Sequence, residues 1–439
     1  MSEPETALAA ETNPPGAMQA KAAPRKGRLA RWWWAWSILG LALVAGGAVL
    51  ATRIRWTPPS LDRAEKLLAE KRFAEAASEA EAVLETKPGD TRALFAAARA
   101  RVGMEDWARA VAALESVPDW SARKTEALLL VAQIQKKRNR GRDAETNFRA
   151  CLARDPDGPA GTSARIELMK LYAMEERVDE FKALVWDVLP RVSDLDKVMV
   201  LMRRMQIEFE QTLPEINAKT LRAMVGEDPE DAYARAGLAA ALDRSGDVEQ
   251  ARKLYAHALA ARPNDPELRE RYLDLLQRLG DMTTLRAVLE ARPPGTDERP
   301  ATLKFLGIVA EADGKADQAI AYQERAVAAD PTDPQHHHRL SLLLYRNRRK
   351  ADAEREAAER TRLDKARDQL RQAWNAFATP FETDPTHVDP ALLLGMARAC
   401  EACGWVREAS AWYRATLSKA PDDPQARAGL QRVEALPQR

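Results

Sequence analysis

Disulfide staples, an excess of one charge and the signatures of common catalysts are all missing, or nearly so, from this chain. Only three of its 439 residues are cysteine, Cys151, Cys400 and Cys403. An odd number cannot pair completely, and so few cannot staple a chain of this length, so the fold must stand on packing. Lysine and arginine total 67 against 66 acids, which removes the bulk positive field that draws in nucleic acid. No H-E-x-x-H, G-x-S-x-G or G-x-x-x-x-G-K-[ST] occurs, and no G-x-G-x-x-G follows a strand pattern. Without those spacings there is no sequence basis for metalloprotease, hydrolase or nucleotide-phosphate chemistry. No enzyme, cofactor or metal is expected.

Two short stretches imitate chemical sites. His336, His337 and His338 are adjacent, and neighbours on a helix point about 100° apart, so they cannot converge on one ion without outside ligands. Cys400 and Cys403 form C-x-x-C, but Gly404 rather than His follows, which removes the haem-attachment motif. Both cysteines fall at the end of an expected helix, where the helix dipole raises a thiol pKa instead of activating it. They read as packed thiols, or as a disulfide if their compartment is oxidising.

Long apolar runs are also scarce, and the one present is the segment Trp32–Thr52, which has no charged residue. A helix of that length crosses a hydrocarbon core of roughly 30 Å. Trp32, Trp33, Trp34, Trp36 and Trp56 stand at its two ends, where indoles favour the headgroup layer. Residues 1–31 read as a disordered, basic-flanked tail, because residues 1–24 are rich in Ala, Pro and Glu with little to bury. A cleaved signal peptide fits less well, since an acidic tail precedes the basic residues and no clean A-x-A site closes the run. Arg25, Lys26, Arg28 and Arg31 precede the span closely, against Arg53 and Arg55 just after it. That bias places the tail in the cytoplasm and the remainder outside, in the periplasm if the source is bacterial.

Beyond residue 57 the chain repeats itself. Ala64, Ala98 and Ala132 are 34 residues apart, as are Ala76, Ala110 and Ala144. The same interval returns in Ala239, Leu273, Gly307 and Ser341, in Gly246, Gly280 and Gly314, and in Ala251, Leu285, Ala319 and Ala353. Each period reads as two short helices with a turn between them, whose small residues let the two backbones approach. A pair of that length buries its apolar surface only by stacking on its neighbours.

The pattern resembles the tetratricopeptide repeat family. The residues that carry it are Leu238, Ala239, Gly246, Ala251, Tyr255, Ala258 and Pro263, and again Leu306, Gly307, Gly314, Ala319, Ala326 and Pro331. Second-half matches stand at Ala144, Phe148, Cys151 and Pro156, and at Ala409, Tyr413 and Pro421. The resemblance implies an all-α fold, a right-handed α-solenoid of stacked helix-turn-helix units over 57–435. Its register is broken around 196–229, where the unit is degenerate. Extra length after Ala353 implies one extended helix over about 350–377, with Leu363, Ala366, Leu370 and Trp374 on its inner face, and 424–435 reads as a capping helix.

In such an array the first helices of successive units line a groove. The residues expected to face it are Arg92, Phe95 and Arg99; Glu126, Gln133 and Lys136; Tyr233; Glu267, Glu270 and Asp274; Lys304; and His338 and Tyr345. The family's best-defined ligand mode clamps a C-terminal carboxylate with Lys and Asn on adjacent first helices, and that set is not found at matching positions. The expected function is a membrane-tethered scaffold whose groove binds a peptide or protein partner, not nucleic acid. The alternative, by analogy with membrane-anchored repeat proteins, is an accessory factor of a redox or cytochrome-assembly system.

Overall fold

The computed structural model describes residues 59–188, 214–295, 299–384 and 388–436. The expected tail, the Trp32–Thr52 span and residues 196–213 of the degenerate unit lie outside those residues. Among the described residues there are twenty helices and no strand, and no helix there is long and apolar enough to cross a membrane.

The helices come in pairs. Four first helices, α1 (Leu61–Ala69), α3 (Thr91–Gly103), α5 (Lys124–Lys137) and α7 (Pro159–Met174), alternate with second helices α2 (Phe73–Thr86), α4 (Trp107–Glu115), α6 (Gly141–Arg154) and α8 (Val178–Val188). Helix α9 (Pro214–Glu227) follows alone. Then come the pairs α10 (Ala232–Arg244) with α11 (Val248–Ala261), α12 (Pro266–Leu279) with α13 (Met282–Glu290), and α14 (Pro300–Ala312) with α15 (Ala316–Ala329). The last pairs are α16 (Pro334–Arg346) with α17 (Lys350–Thr383) and α18 (Pro390–Ala402) with α19 (Val406–Lys419), closed by α20 (Pro424–Glu434). Each helix packs chiefly on its neighbours in sequence, which is the contact pattern of a solenoid.

The periodic residues explain the pairing. Ala64, Ala76, Ala110, Ala132, Ala239, Ala251 and Ala319 are all fully buried. At Gly307 a Cβ would lie 2.4 Å from the Gln323 side-chain nitrogen of α15, so a side chain there would have to displace the Gln323 amide, which donates to the Lys304 carbonyl at 3.0 Å. Helix starts are set by aspartate N-caps: Asp90, Asp231, Asp265, Asp333, Asp389 and Asp423 each accept a hydrogen bond from the first turn. In four of these the next residue is Pro266, Pro334, Pro390 or Pro424, which has no N–H to lose at that position.

The extended helix is longer than expected. It runs to Thr383 and holds Pro380 inside its last turn. Leu363, Ala366, Leu370 and Trp374 are buried along it, and Phe377 continues the stripe. That lower half belongs to the core of the C-terminal pair: the Phe377 ring meets Trp412 edge-on at 5.3 Å. The capping helix α20 closes that core with Ala426 and Val433.

Candidate partner-binding surface

Ion pairs and hydrogen bonds tie several first helices to the next. Arg92 on α3 reaches Glu65 on α1 at 3.0 Å, and Lys136 on α5 pairs with Glu167 on α7. The Tyr233 hydroxyl donates to Asp265 at 2.8 Å, Lys304 pairs with Asp274 at 2.6 Å, and Arg339 pairs with Glu311 at 3.1 Å. The residues assigned to the groove by sequence thus sit on successive first helices, and several of them join one helix to the next.

Their accessibility differs. Arg92, Arg99, Glu126, Gln133, Lys136, Asp274 and Tyr345 are exposed, while Tyr233, Glu267, Glu270, Lys304 and His338 are half-buried. Phe95 departs from expectation. It is buried, with the Arg123 guanidinium 3.7 Å above its ring, because the start of α5 folds over that side of α3.

On α16 the sequence reading left out one residue. Leu342 is 44% exposed and Tyr345 is 67% exposed, although both are large and apolar. With His338 they follow the i, i+4, i+7 spacing that lines one helix face. The His338 side chain is held by Arg360 of α17, whose guanidinium donates to Nδ1 at 2.9 Å. The signal for Leu342 was that spacing, hidden inside the leucine run 342–344.

The three histidines do not converge. His337 is buried, its Nδ1 2.7 Å from Glu356 and its Nε2 3.1 Å from the Pro331 carbonyl. His336 is buried on another side, and burial holds its pKa below the usual histidine range. All three cysteines are buried thiols, and burial pushes Cys151 up to about 11. Cys400 lies in α18 and Cys403 at its C-terminal cap.

A second cluster joins the two halves of the array. At the turn from α7 to α8, Arg177 is 2% exposed. It pairs with Glu145 at 2.7 Å, Glu175 at 3.0 Å and Glu180 at 2.8 Å. Its guanidinium lies 4.2 Å from the Tyr172 ring and 3.8 Å from the Tyr233 ring. Arg271 of α12 donates to the Glu175 carbonyl at 2.7 Å, and Glu267 accepts from the Val178 N–H at 2.7 Å. Arg299 bridges Glu270 at 2.6 Å and Asp179 at 3.2 Å. Tyr233 and Glu267 are therefore engaged by the α7–α8 turn, and Glu270 is linked to the start of α8 through Arg299. Burial pushes the Glu175 carboxyl up to about 8 and that of Glu267 to about 7. Glu145 is held low by Arg177 against the opposing pull of its own burial. Beyond the turn, Lys182 of α8 lines one cleft with Pro300, Trp405 and Glu408.

A tetratricopeptide repeat family model matches residues 67–134 and 218–279. A cellulose synthase operon protein C from Xanthomonas axonopodis pv. citri is 28% identical over 212 residues. That match covers 44% of this chain and 14% of the relative, so the chain spans a small part of the relative's length. Among solved structures, a chain of the APC/C hetero-tetramer Cut9–Hcn1 is similar over 84% of this chain and 88% of its own length, with 12% identity and a TM-score of 0.40. The PilF protein of Pseudomonas aeruginosa is similar over 55% and 98%, with 17% identity and a TM-score of 0.33. With the helix pairs, the 34-residue phase and the family match in agreement, the chain carries tetratricopeptide repeats.

Proposed function

We propose that the protein is a membrane-tethered scaffold. Trp32–Thr52 crosses the bilayer once, residues 1–31 face the cytoplasm, and the repeats stand outside it and bind a peptide or protein partner on their first helices. The observation that carries the binding surface is the stripe His338, Leu342 and Tyr345. It exposes two large apolar side chains on a first helix whose neighbours, Leu340, Leu343 and Leu344, are buried. Aromatic and aliphatic anchors beside mixed charge suit a partner helix or an extended peptide. Arg92, Arg99, Gln133 and Lys136 extend the surface into the N-terminal units. No chemistry needs to be assigned to the chain for this role, and we read it as a binding protein, not an enzyme.

The test is affinity capture from detergent-solubilised membranes with the full chain and with a Leu342→Glu, Tyr345→Ala variant. Both positions are exposed, so the variant should melt with the native chain yet lose its specific partner. The same partner recovered at the same yield would remove α16 from the surface. Protease added to intact spheroplasts checks the orientation: it should degrade the repeats and spare the tail. The redox alternative is less well supported, since Cys400 and Cys403 are 2% and 1% exposed and thiol exchange requires access.

A further inference from the structure

Trp120 is 84% exposed, more than any other large apolar side chain among the described residues. Slack backbone is not the reason. The loop that carries it, between α4 and α5, is held at both ends and in the middle. Ser121 N–H donates to the Pro118 carbonyl at 3.0 Å, and Lys124 N–H to the Ser121 carbonyl at 3.0 Å. The Lys124 ammonium donates to the carbonyls of Glu115 at 3.2 Å and Val117 at 2.8 Å, which closes the end of α4. From the next unit, Arg154 donates to the Asp119 carbonyl at 2.5 Å. Val117 is buried at the base of the loop. A tightly bonded turn thus presents an indole to solvent.

Where the loop stands follows from contacts between units. Arg92, at the start of α3, reaches Asp62 at 3.6 Å and Glu65 at 3.0 Å at the start of α1. Thr91 Oγ1 lies 3.4 Å from Ser121 Oγ. The start of α1, the start of α3 and the Trp120 loop therefore lie along one edge of the stack. First helices about 10 Å apart put the loop roughly 20 Å from Leu61 along that edge. Residues 53–60 are all that separate Leu61 from the apolar run that ends at Thr52, and fully extended they reach no more than about 29 Å. A linker of that reach is long enough for this edge to meet the bilayer that the span would cross.

We propose that Trp120 inserts its indole into the lipid headgroup layer of the membrane that Trp32–Thr52 crosses, so that the N-terminal edge of the array lies on the bilayer. An amphipathic indole gains both apolar contact and a hydrogen-bond partner for its N–H at that depth. The single span and Trp120 then form a two-point attachment, which sets the direction in which the first-helix surface faces. This inference rests on the membrane-tethered reading above.

The test uses the full chain in nanodiscs of phosphatidylethanolamine and phosphatidylglycerol. The native cysteines are buried, so a spin label on Ala122→Cys, at an exposed position, reports the loop. Its relative accessibility to oxygen and to a water-soluble nickel chelate measures depth. The label should sit at headgroup depth with Trp120 present, move into water with Trp120→Ser, and stay at headgroup depth with Trp120→Tyr. A label in water in the Trp120 protein, while the chain co-elutes with the discs, overturns the inference and leaves the span standing. A label shielded from both probes overturns it too, because protein and not lipid would cover the loop. A chain that does not co-elute with the discs overturns the span and this inference together.

Discussion

The turn between the first and second helix of each unit requires one residue at positive φ, whatever its side chain. Gly246, Gly280 and Gly314 supply it at 91°, 72° and 72°. At the same turn position stand Lys71, Glu105 and Asn139, each at 59°, and Arg348 at 62°. The left-handed region costs a residue with a Cβ about 1 kcal/mol, which a well-packed pair absorbs. For that reason glycine revealed only part of the turn register in the sequence, and Lys71, Glu105 and Arg348 gave no sign of it. Glu105→Gly should leave the fold intact and raise stability by up to about 1 kcal/mol, since relief of strain exceeds the entropy that glycine adds to the unfolded chain. Gly280→Ala should lower it by about 1 kcal/mol. Urea unfolding of both variants measures the pair, and equal shifts of one sign would contradict the turn assignment.

Among the elements, the pairs were legible because their small residues recur in phase and packing demands them. Ala251 is fully buried between α10 and α11. Ala251→Leu should cost about 1 to 3 kcal/mol through overpacking, while Glu249→Gln on the exposed side of the same helix should cost little. Comparable drops in melting temperature would place Ala251 outside the contact. The long helix α17 was legible from its apolar stripe, but its end was not. Pro380 is a stop signal in the sequence, yet α17 runs on to Thr383. Phe377 and Trp374 anchor that last stretch in the C-terminal core, with ring centroids 5.7 Å apart, and tertiary packing overrides the local preference. On α3, Phe95 is covered for a related reason: helical phase gives a direction, while the Arg123 cover comes from the next unit.

Across the whole array, the Arg177 cluster joins residues far apart in the chain, and the raised pKa values of its buried carboxyls predict a dependence on pH. A carboxyl whose pKa is higher in the folded chain than in the unfolded one binds more protons when folded. Its contribution is therefore full below the unfolded value and lost as pH rises through the folded value. For Glu175, raised to about 8, and Glu267, raised to about 7, the loss falls between pH 5 and 8. Carboxyls held low, such as Glu145 and Glu167, act in the opposite sense below that window, and His336 and His338, lowered chiefly by burial, oppose the effect within it. Calorimetry at pH 5 and pH 8 should show a lower transition at the higher pH, and Glu175→Gln should flatten the difference. A Glu175→Gln variant whose shift between the two pH values equals that of the native chain would show that Arg177 keeps Glu175 ionised throughout.

The sequence by itself determined the helix pairs, their 34-residue phase, the aspartate and proline starts and the extended and capping helices. All of these are written in contacts between residues close in the chain, where spacing is geometry. Tertiary structure alone decided which expected groove residues stay accessible, as Arg99 and Tyr345 do, and which are taken up by the chain itself, as Tyr233, Glu267 and Glu270 are. Tyr233 and Glu267 meet the α7–α8 turn across separations such as the 89 residues between Val178 and Glu267, and Glu270 is taken up by Arg299. No periodicity encodes a contact of that kind, because it depends on how one part of the stack comes to rest against another.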